Sequence, residues 1–351
     1  MNVAQVVADG RPGGGTVMVL SLIEALIAQG HDASLVTHVD TYAAGRARDL
    51  GAKVLEIPFY SPLRTPSALG AALDELAPEQ VHVHGNRAAF QFMASKSQLA
   101  AHYTVHGYHF EHRAWPRRIA GRWAERRVAQ RLRSVVHVCD YDRSLAERQR
   151  LVGPDVPRRV IYNGVDLAAL PAAVPNEFGR VAFVGRLVPQ KDPGLVAAIA
   201  ARLAADGVAV TIVGGGVGEA DVRRTLRSEM AAGKVEMSGE VGRERALAEL
   251  ASSSVLVLPS RWEGLPVVLL EALAIGVPCV ASSVGGVPEA LAGGQAGLLI
   301  NERDPEHFAA AARRLLFEGD LRERIVTAGK ALAAERFGLE GCLERYFSLY
   351  S

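Results

Sequence analysis

Ser260-Arg261-Trp262-Glu263-Gly264-Leu265-Pro266-Val267-Val268-Leu269-Leu270-Glu271-Ala272 sets two glutamates, with seven residues between them, across the junction of a loop and a helix. Glu263 belongs to the loop, Gly264 lets the main chain turn closely, and Pro266 suits the first helical position because its missing N–H has no partner there in any case. Glu271 falls inside the helix, roughly 7 to 8 Å along the axis from Pro266. The two carboxylates can therefore hold different parts of one extended ligand. Between them the amides of a helix N-terminus offer a seat for an anion such as a diphosphate. A ligand with hydroxyls at both ends and phosphates in the middle suits this layout. A helix carrying one capping and one surface glutamate would give the same letters, so the rest of the chain decides.

Outward from that stretch, short β-branched runs alternate with Ala/Leu-rich helical patterns, the mark of parallel α/β architecture. Strands are predicted at Asn2–Ala8, Ala33–Thr37, Val54–Ile57, Gln80–His84, Tyr103–His106, Val135–Cys139 and Val160–Tyr162. A second series follows at Arg180–Val184, Ala209–Val213, Val235–Ser238, Val255–Leu258, Cys279–Ala281 and Leu298–Ile300. Leu167–Gly179, rich in Ala and Pro without either period, reads as the linker between two doubly wound domains. At 351 residues the chain is long enough for both to have a real core. Ligands of open α/β sheets bind beyond the carboxyl ends of the strands.

Chemistry-bearing residues sit at such strand ends. Gly185, Arg186 and Lys191 lie in Phe183-Val184-Gly185-Arg186-Leu187-Val188-Pro189-Gln190-Lys191, where a guanidinium fork and an ammonium could neutralise a departing diphosphate, or be plain solvated cations. Gly10-Arg11-Pro12-Gly13-Gly14-Gly15-Thr16 follows the first strand; it allows close approach to a phosphate or sugar, or is an ordinary tight turn, and it is neither a dinucleotide fingerprint nor a Walker loop. His106 closes a strand before Gly107, where a hydrogen-bonded structural role competes with a catalytic one. Asp140-Tyr141-Asp142 follows a strand and opens a helical pattern, so N-capping explains Asp140 better than metal binding. Asn163-Gly164-Val165-Asp166 reads as a turn.

Taken together, Glu263 with Glu271 and Arg186 with Lys191 resemble the E-x(7)-E and G-R-x-x-x-x-K patterns of glycosyltransferase family four, the retaining nucleotide-sugar enzymes of GT-B fold. The resemblance covers essentially the whole chain. It implies two Rossmann-like domains facing across a cleft: an acceptor-side domain at 1–170, to which a last helix at 339–351 returns, and a nucleotide-sugar domain at 171–338. Glu271 is then expected on the ribose hydroxyls, Arg186, Lys191 and the amides near Leu265 on the diphosphate, and Glu263 on the donor sugar. Gly14 and Gly15 reach toward the donor from the other domain, Gly185, Gly264 and Pro266 line the donor, and the loop at Gly239-Glu240-Val241 lies near the base, Val241 by its main chain. Gly285-Gly286-Val287-Pro288-Glu289 also matches. His106 is expected near the reacting sugar; the family often has Asp after it, where this chain has Gly107, and that departure bears on the acceptor side. The implied activity is retaining, metal-independent transfer of a sugar, UDP-linked foremost, onto a glycan, lipid-linked or small-molecule acceptor, with no cofactor. A sugar-nucleotide epimerase and a non-catalytic nucleotide-sugar sensor are the alternatives.

Composition narrows the rest. Basic and acidic residues nearly balance, 39 against 38, so no global field recruits nucleic acid. Cys139, Cys279 and Cys342 have neither metal-ligand spacing nor the makings of a disulfide framework, which suits a reducing compartment. Met1 leads into an apolar strand without a basic leader, so the expected location is cytoplasmic, peripheral on the inner membrane face if it touches lipid. His82 with His84, and His106, His109 and His112, have regular spacings but no convincing fourth ligand, and no metal is expected. From Arg113 to Arg133 there are eight arginines, with Trp115, Ile119 and Trp123 four residues apart. The reading preferred here buries that stripe as core and solvates the arginines; the competing one lays the helix on an anionic membrane.

Overall fold

Apolar, largely β-branched residues occupy both faces of most strands, the composition of sheets covered on two sides. The structure, a computed structural model, describes residues 1–61, 63–128, 132–174 and 179–351. Among these residues the strands form two sheets, in which every ladder is parallel. The first contains β1 (Asn2–Val7), β2 (Asp32–His38), β3 (Lys53–Ile57), β4 (Gln80–His84), β5 (Ala101–Val105), β6 (Leu132–His137) and β7 (Arg158–Val160), in the order β3-β2-β1-β4-β5-β6-β7. The second contains β8 (Arg180–Val184), β9 (Ala209–Val213), β10 (Val235–Gly239), β11 (Val255–Leu258), β12 (Cys279–Ser282) and β13 (Leu298–Ile300), in the order β10-β9-β8-β11-β12-β13.

Each order runs outward from its first strand and then reverses, which puts a topological switch point between β1 and β4 and another between β8 and β11. The ladder of β11 on β8 joins Val255 to Val181 and Leu256 to Ala182 and goes no further. The loops that leave β8 and β11 begin at this switch point.

Several strand bounds differ from the sequence reading, with β6 running from Leu132 to His137 where the sequence predicts Val135–Cys139, and β7 and β5 shifted as well. β7 begins at Arg158, pairing Arg158, Arg159 and Val160 with Val135, Val136 and His137; an edge strand tolerates charge, so a search for apolar runs starts too late. β5 ends at Val105, paired with His137, which leaves His106 one residue beyond the sheet.

The chain divides into two units, Met1–Asn163 with Gly341–Ser351, and Gly164–Glu340. Beside the two crossings, Val165 N–H donates to Phe337 O at 2.8 Å and Leu339 N–H to Val165 O at 2.9 Å. Of the Ala/Pro-rich stretch, residues 175–178 lie outside the described residues.

In the first unit one face of the sheet packs a conventional core that includes Val81, Val83, Phe92, Tyr103 and Phe110. The other carries buried polar groups, closed by the helix Leu339–Tyr350 through Tyr346 and Tyr350. Gln5 Nε2 donates to Tyr350 Oη at 3.2 Å, so the phenol proton is left for His82 Nδ1 at 2.7 Å. That fixes the His82 tautomer, and its Nε2–H donates to Thr104 Oγ1 at 2.7 Å. His84 Nε2 donates to Gln5 Oε1 at 2.8 Å, and His82 and His84 stack with centroids 4.2 Å apart.

The arginine-rich segment corrects the sequence reading. Trp115, Ile119 and Trp123 are 73%, 55% and 57% exposed, while the helix Arg117–Val128 buries Glu125 and Val128. The inward position at Gly121 is occupied by Phe110, to whose Cβ a side chain there would come within 2.4 Å. Close backbone approach, and not the apolar stripe, sets which face turns inward. Among the described residues no helix is long and apolar enough to cross a membrane.

The buried histidines make a prediction about pH. Burial holds His82 and His84 well below the ordinary imidazole value and lowers His102 and His137 to about 4. The unfolded chain takes up these protons below roughly 6.5 while the folded one does not. Their contribution to stability is therefore full above that value and lost as pH falls through about 4. The urea midpoint of the first unit should drop steadily across this window, and a flat or rising midpoint would contradict the assignment. Tyr350→Phe should cost about 1–3 kcal/mol at neutral pH by leaving buried polar groups unmatched.

Candidate functional site

Main-chain hydrogen bonds tie together the loops at the carboxyl edge of the second sheet. Gly185 N–H donates to Val213 O at 2.9 Å, Leu187 N–H to Gly215 O at 2.7 Å and Gly214 N–H to Gly239 O at 2.8 Å, so the loops after β8, β9 and β10 are joined in series. The approach is close enough that a Cβ on Gly214, whose φ is 123°, would lie 2.2 Å from Gly185 O. Arg261 N–H donates to Gln190 O at 2.8 Å and joins the loop after β11 to the loop after β8. Gly286 N–H donates to Gly264 O at 2.9 Å and adds the loop after β12.

On this scaffold the candidate side chains form pairs. Glu263 is 8% exposed; Lys191 Nζ donates to its Oε1 at 2.5 Å and Gln190 Nε2 to its Oε2 at 3.0 Å. Gln190 Nε2 also reaches Trp262 O at 3.1 Å, so one amide sets both the main chain and the carboxylate of this turn. Lys191 and Glu263, read separately in the sequence as a diphosphate contact and a sugar contact, are one ion pair. Gly185 borders it, since a Cβ there would sit 3.7 Å from Lys191 Cε. Arg186 follows immediately and is exposed.

Glu271 lies inside the helix Val267–Ile275, an element apolar on nearly all sides and buried accordingly. The carboxylate is 6% exposed and accepts from Arg243 Nη1 at 2.5 Å. Burial pushes the Glu271 carboxyl above its ordinary value, and Arg243 opposes that push. Pro266 corrects the sequence reading by one position. Its ψ of 114° is extended, so it caps the helix and Val267 is the first helical residue. Leu269 N–H turns back to Pro266 O at 3.0 Å, while the amides of Val267 and Val268 have no acceptor within the helix.

Arg243 and Gln190 are residues that sequence reasoning missed. Arg243 opens the helix Arg243–Ala251, directly beyond the Gly239-Glu240-Val241 loop, in which Val241 is half-buried. A guanidinium at a helix N-terminus opposes the macrodipole, but Arg117 opens a helix in the same way with no carboxylate paired to it among the described residues, so this placement did not mark Arg243 out in the sequence. Gln190 gave no sign either, for nothing distinguishes it from any polar loop residue.

His106, Gly14 and Gly15 belong to the first unit. Gly14 opens the helix Gly14–Ala28 after β1, and a Cβ on Gly15 would stand 3.7 Å from the His106 ring, so loop and imidazole are in near contact. The His106 ring in turn stacks on His84 with centroids 5.7 Å apart. Asp140 is not a cap but the first residue of the helix Asp140–Gln149; its carboxylate pairs with Arg143 Nε at 2.8 Å and accepts from Tyr162 Oη at 3.2 Å. Among the described residues no three His, Cys, Asp or Glu side chains converge as metal ligands.

Comparison with known proteins divides the chain in the same place as its contacts. The model described as glycosyl transferases group 1 matches residues 172–332, and that of a glycosyl transferase 4-like domain matches residues 13–164. The chain is 30% identical over 268 residues to a GDP-mannose-dependent α-(1-6)-phosphatidylinositol monomannoside mannosyltransferase of Mycobacterium tuberculosis, covering 70% of this chain and 68% of that one. It is 32% identical over 250 residues to a D-inositol 3-phosphate glycosyltransferase of Geodermatophilus obscurus, covering 65% and 54%. Against several such curated relatives the chain spans about half their length. Among solved structures, Anabaena HepE in complex with UDP and glucose superposes with a TM-score of 0.83 at 17% identity, covering 99% of this chain and 98% of that one. It has the same GT-B architecture of two parallel-sheet α/β domains.

The packing of these loops is testable at Gly285. Its φ is 55° and a Cβ there would fall 1.9 Å from Glu263 O. Gly285→Ala should destabilise the Gly164–Glu340 unit by about 2–4 kcal/mol, from strain plus overlap. Gly242→Ala, with nothing within 4 Å of the added atom, serves as control. Equal urea midpoints for the two variants would refute the close contact.

Proposed function

Because the chain belongs to the group 1 glycosyl transferases, we propose that it transfers a sugar from a nucleoside diphosphate, UDP foremost, to a hydroxyl of a glycan, glycolipid or small-molecule acceptor. In this reading transfer retains the anomeric configuration and needs no bound metal. The observation that carries it is the pair of buried glutamates, each held by a cation, one in the loop after β11 and one in the helix that the loop leads into, beside the β8/β11 switch point. The named relatives are transferases, and HepE was solved with UDP and glucose; this supports transfer over epimerisation.

Each residue then has a role. Arg243 takes one oxygen of Glu271, and the other accepts from the ribose hydroxyls. Val241 meets the base by its main chain. Arg186, Lys191 and the amides from Leu265 into the helix hold the diphosphate, with Gly185, Gly264 and Pro266 shaping its seat. Glu263, fixed by Lys191 and Gln190, orients the sugar, since each carboxylate oxygen can accept a second hydrogen bond. His106, Gly14 and Gly15 keep the parts the resemblance implies. As the bond from the anomeric carbon to the phosphate oxygen breaks, the acceptor oxygen bonds to that carbon on the same face. The acceptor's proton passes to the departing phosphate oxygen. Negative charge grows on the diphosphate, so the surrounding cations and amides act most strongly in the transition state.

A thermal-shift panel of sugar nucleotides, including UDP-glucose and GDP-mannose, should give one clear stabiliser. Glu271→Ala should weaken binding of that nucleotide about tenfold, and unchanged affinity would remove its ribose role. Arg186→Ala should lower turnover by roughly 10²-fold, whereas wild-type turnover would end the leaving-group assignment. EDTA should leave turnover intact; loss restored by Mn²⁺ would contradict the metal-free reading. Binding without nucleotide release to any acceptor would indicate a sensor.

A further inference from the structure

The exposed face of the helix Arg117–Val128 has no part in the site described above. Ile119 and Trp123 stand about one helical turn apart on this helix, Trp115 lies just before it, and all three are open to solvent. Arg113, Arg117, Arg118 and Arg127 are exposed in the same segment, and the Arg127 guanidinium lies 4.8 Å from the Trp123 ring centroid. Arg122 and Arg126 donate to the main-chain oxygens of Gln149 and Arg150, which ties the helix to the end of its neighbour without neutralising either charge. Among the described residues no carboxylate lies within ion-pair distance of these six guanidiniums. Glu125, the acid of this helix, is turned into the core. The face therefore joins a narrow apolar row, two of its three members indoles, to a dense field of one sign.

We propose that this face docks the first unit on an anionic phospholipid surface, with Trp115, Ile119 and Trp123 entering the interface and the flanking arginines meeting lipid phosphates. Indole rings favour the boundary between headgroups and acyl chains, where an apolar body and an N–H are both accommodated. Guanidinium pairs with phosphate oxygens in a bidentate fork. A bilayer offers negative charge as a continuous sheet, which complements arginines spread along the helix better than the local acidic patch of a protein partner. The proposal is independent of the transferase reading, because none of these residues is assigned a part in donor binding.

Full-length protein is sedimented with phosphatidylcholine vesicles, with and without phosphatidylglycerol. The anionic vesicles should raise the pelleted fraction roughly tenfold, an increase that added salt reverses. Trp115→Ala with Trp123→Ala should lower that fraction several-fold, and Arg117→Glu with Arg118→Glu should bring it to the neutral-lipid level. Emission of the parent protein should shift to the blue on anionic vesicles, and the double tryptophan variant should lose the shift. These variants alter exposed residues, and an unchanged thermal midpoint confirms that they fold. Equal pelleting with both vesicle types, or tryptophan variants that pellet like the parent, would overturn the proposal. So would a parent dimer in sedimentation equilibrium that those variants convert to monomer, which would place a second copy on this face.

Discussion

The site depends on the main-chain bonding among the strand-end loops of the second sheet. Parallel strands deliver all their outgoing loops to one edge, but this alone does not hold those loops still. Here the loop after β8 is bonded to those after β9 and β11, β9 is bonded on to β10, and β12 closes on the turn containing Glu263. These bonds need no side chain, and the glycines at the contacts leave room for backbone to meet backbone. A rigid edge is what lets short polar side chains be placed with precision.

Upon that edge the charges are arranged as neighbours, each biasing the other. Glu263 and Lys191 are both nearly buried, with side chains 5% and 15% exposed, so each removes much of the desolvation penalty of the other. Glu271 is subject to opposed influences, burial favouring its neutral form and Arg243 its charged one. Such pairs are sensitive to any further charge brought close.

Much of this was legible from the residues alone. Apolar β-branched runs located most strands because strands buried on both faces admit little else, and the Glu263/Glu271 and Arg186/Lys191 spacings carried the family resemblance. The misses have physical causes. β7 escaped because edge strands accept arginine. The Lys191–Glu263 pair escaped because it joins residues 72 apart in the chain, and no local pattern encodes a meeting of two loops. The row at Trp115, Ile119 and Trp123 was turned the wrong way because amphipathic period tells that a helix has two faces, not which one finds a partner. Gly121 settled that by admitting Phe110.

The bond from Gln5 to Tyr350 spans 345 positions of the chain. Sheet β1–β7 is translated before the second sheet, yet the groups that satisfy its buried imidazole and amide emerge only after that second sheet. Until then His82 and Gln5 must remain hydrated, and the face they occupy cannot become dry. The consolidation of the unit Met1–Asn163 with Gly341–Ser351 therefore waits for the other unit to have been synthesised in between.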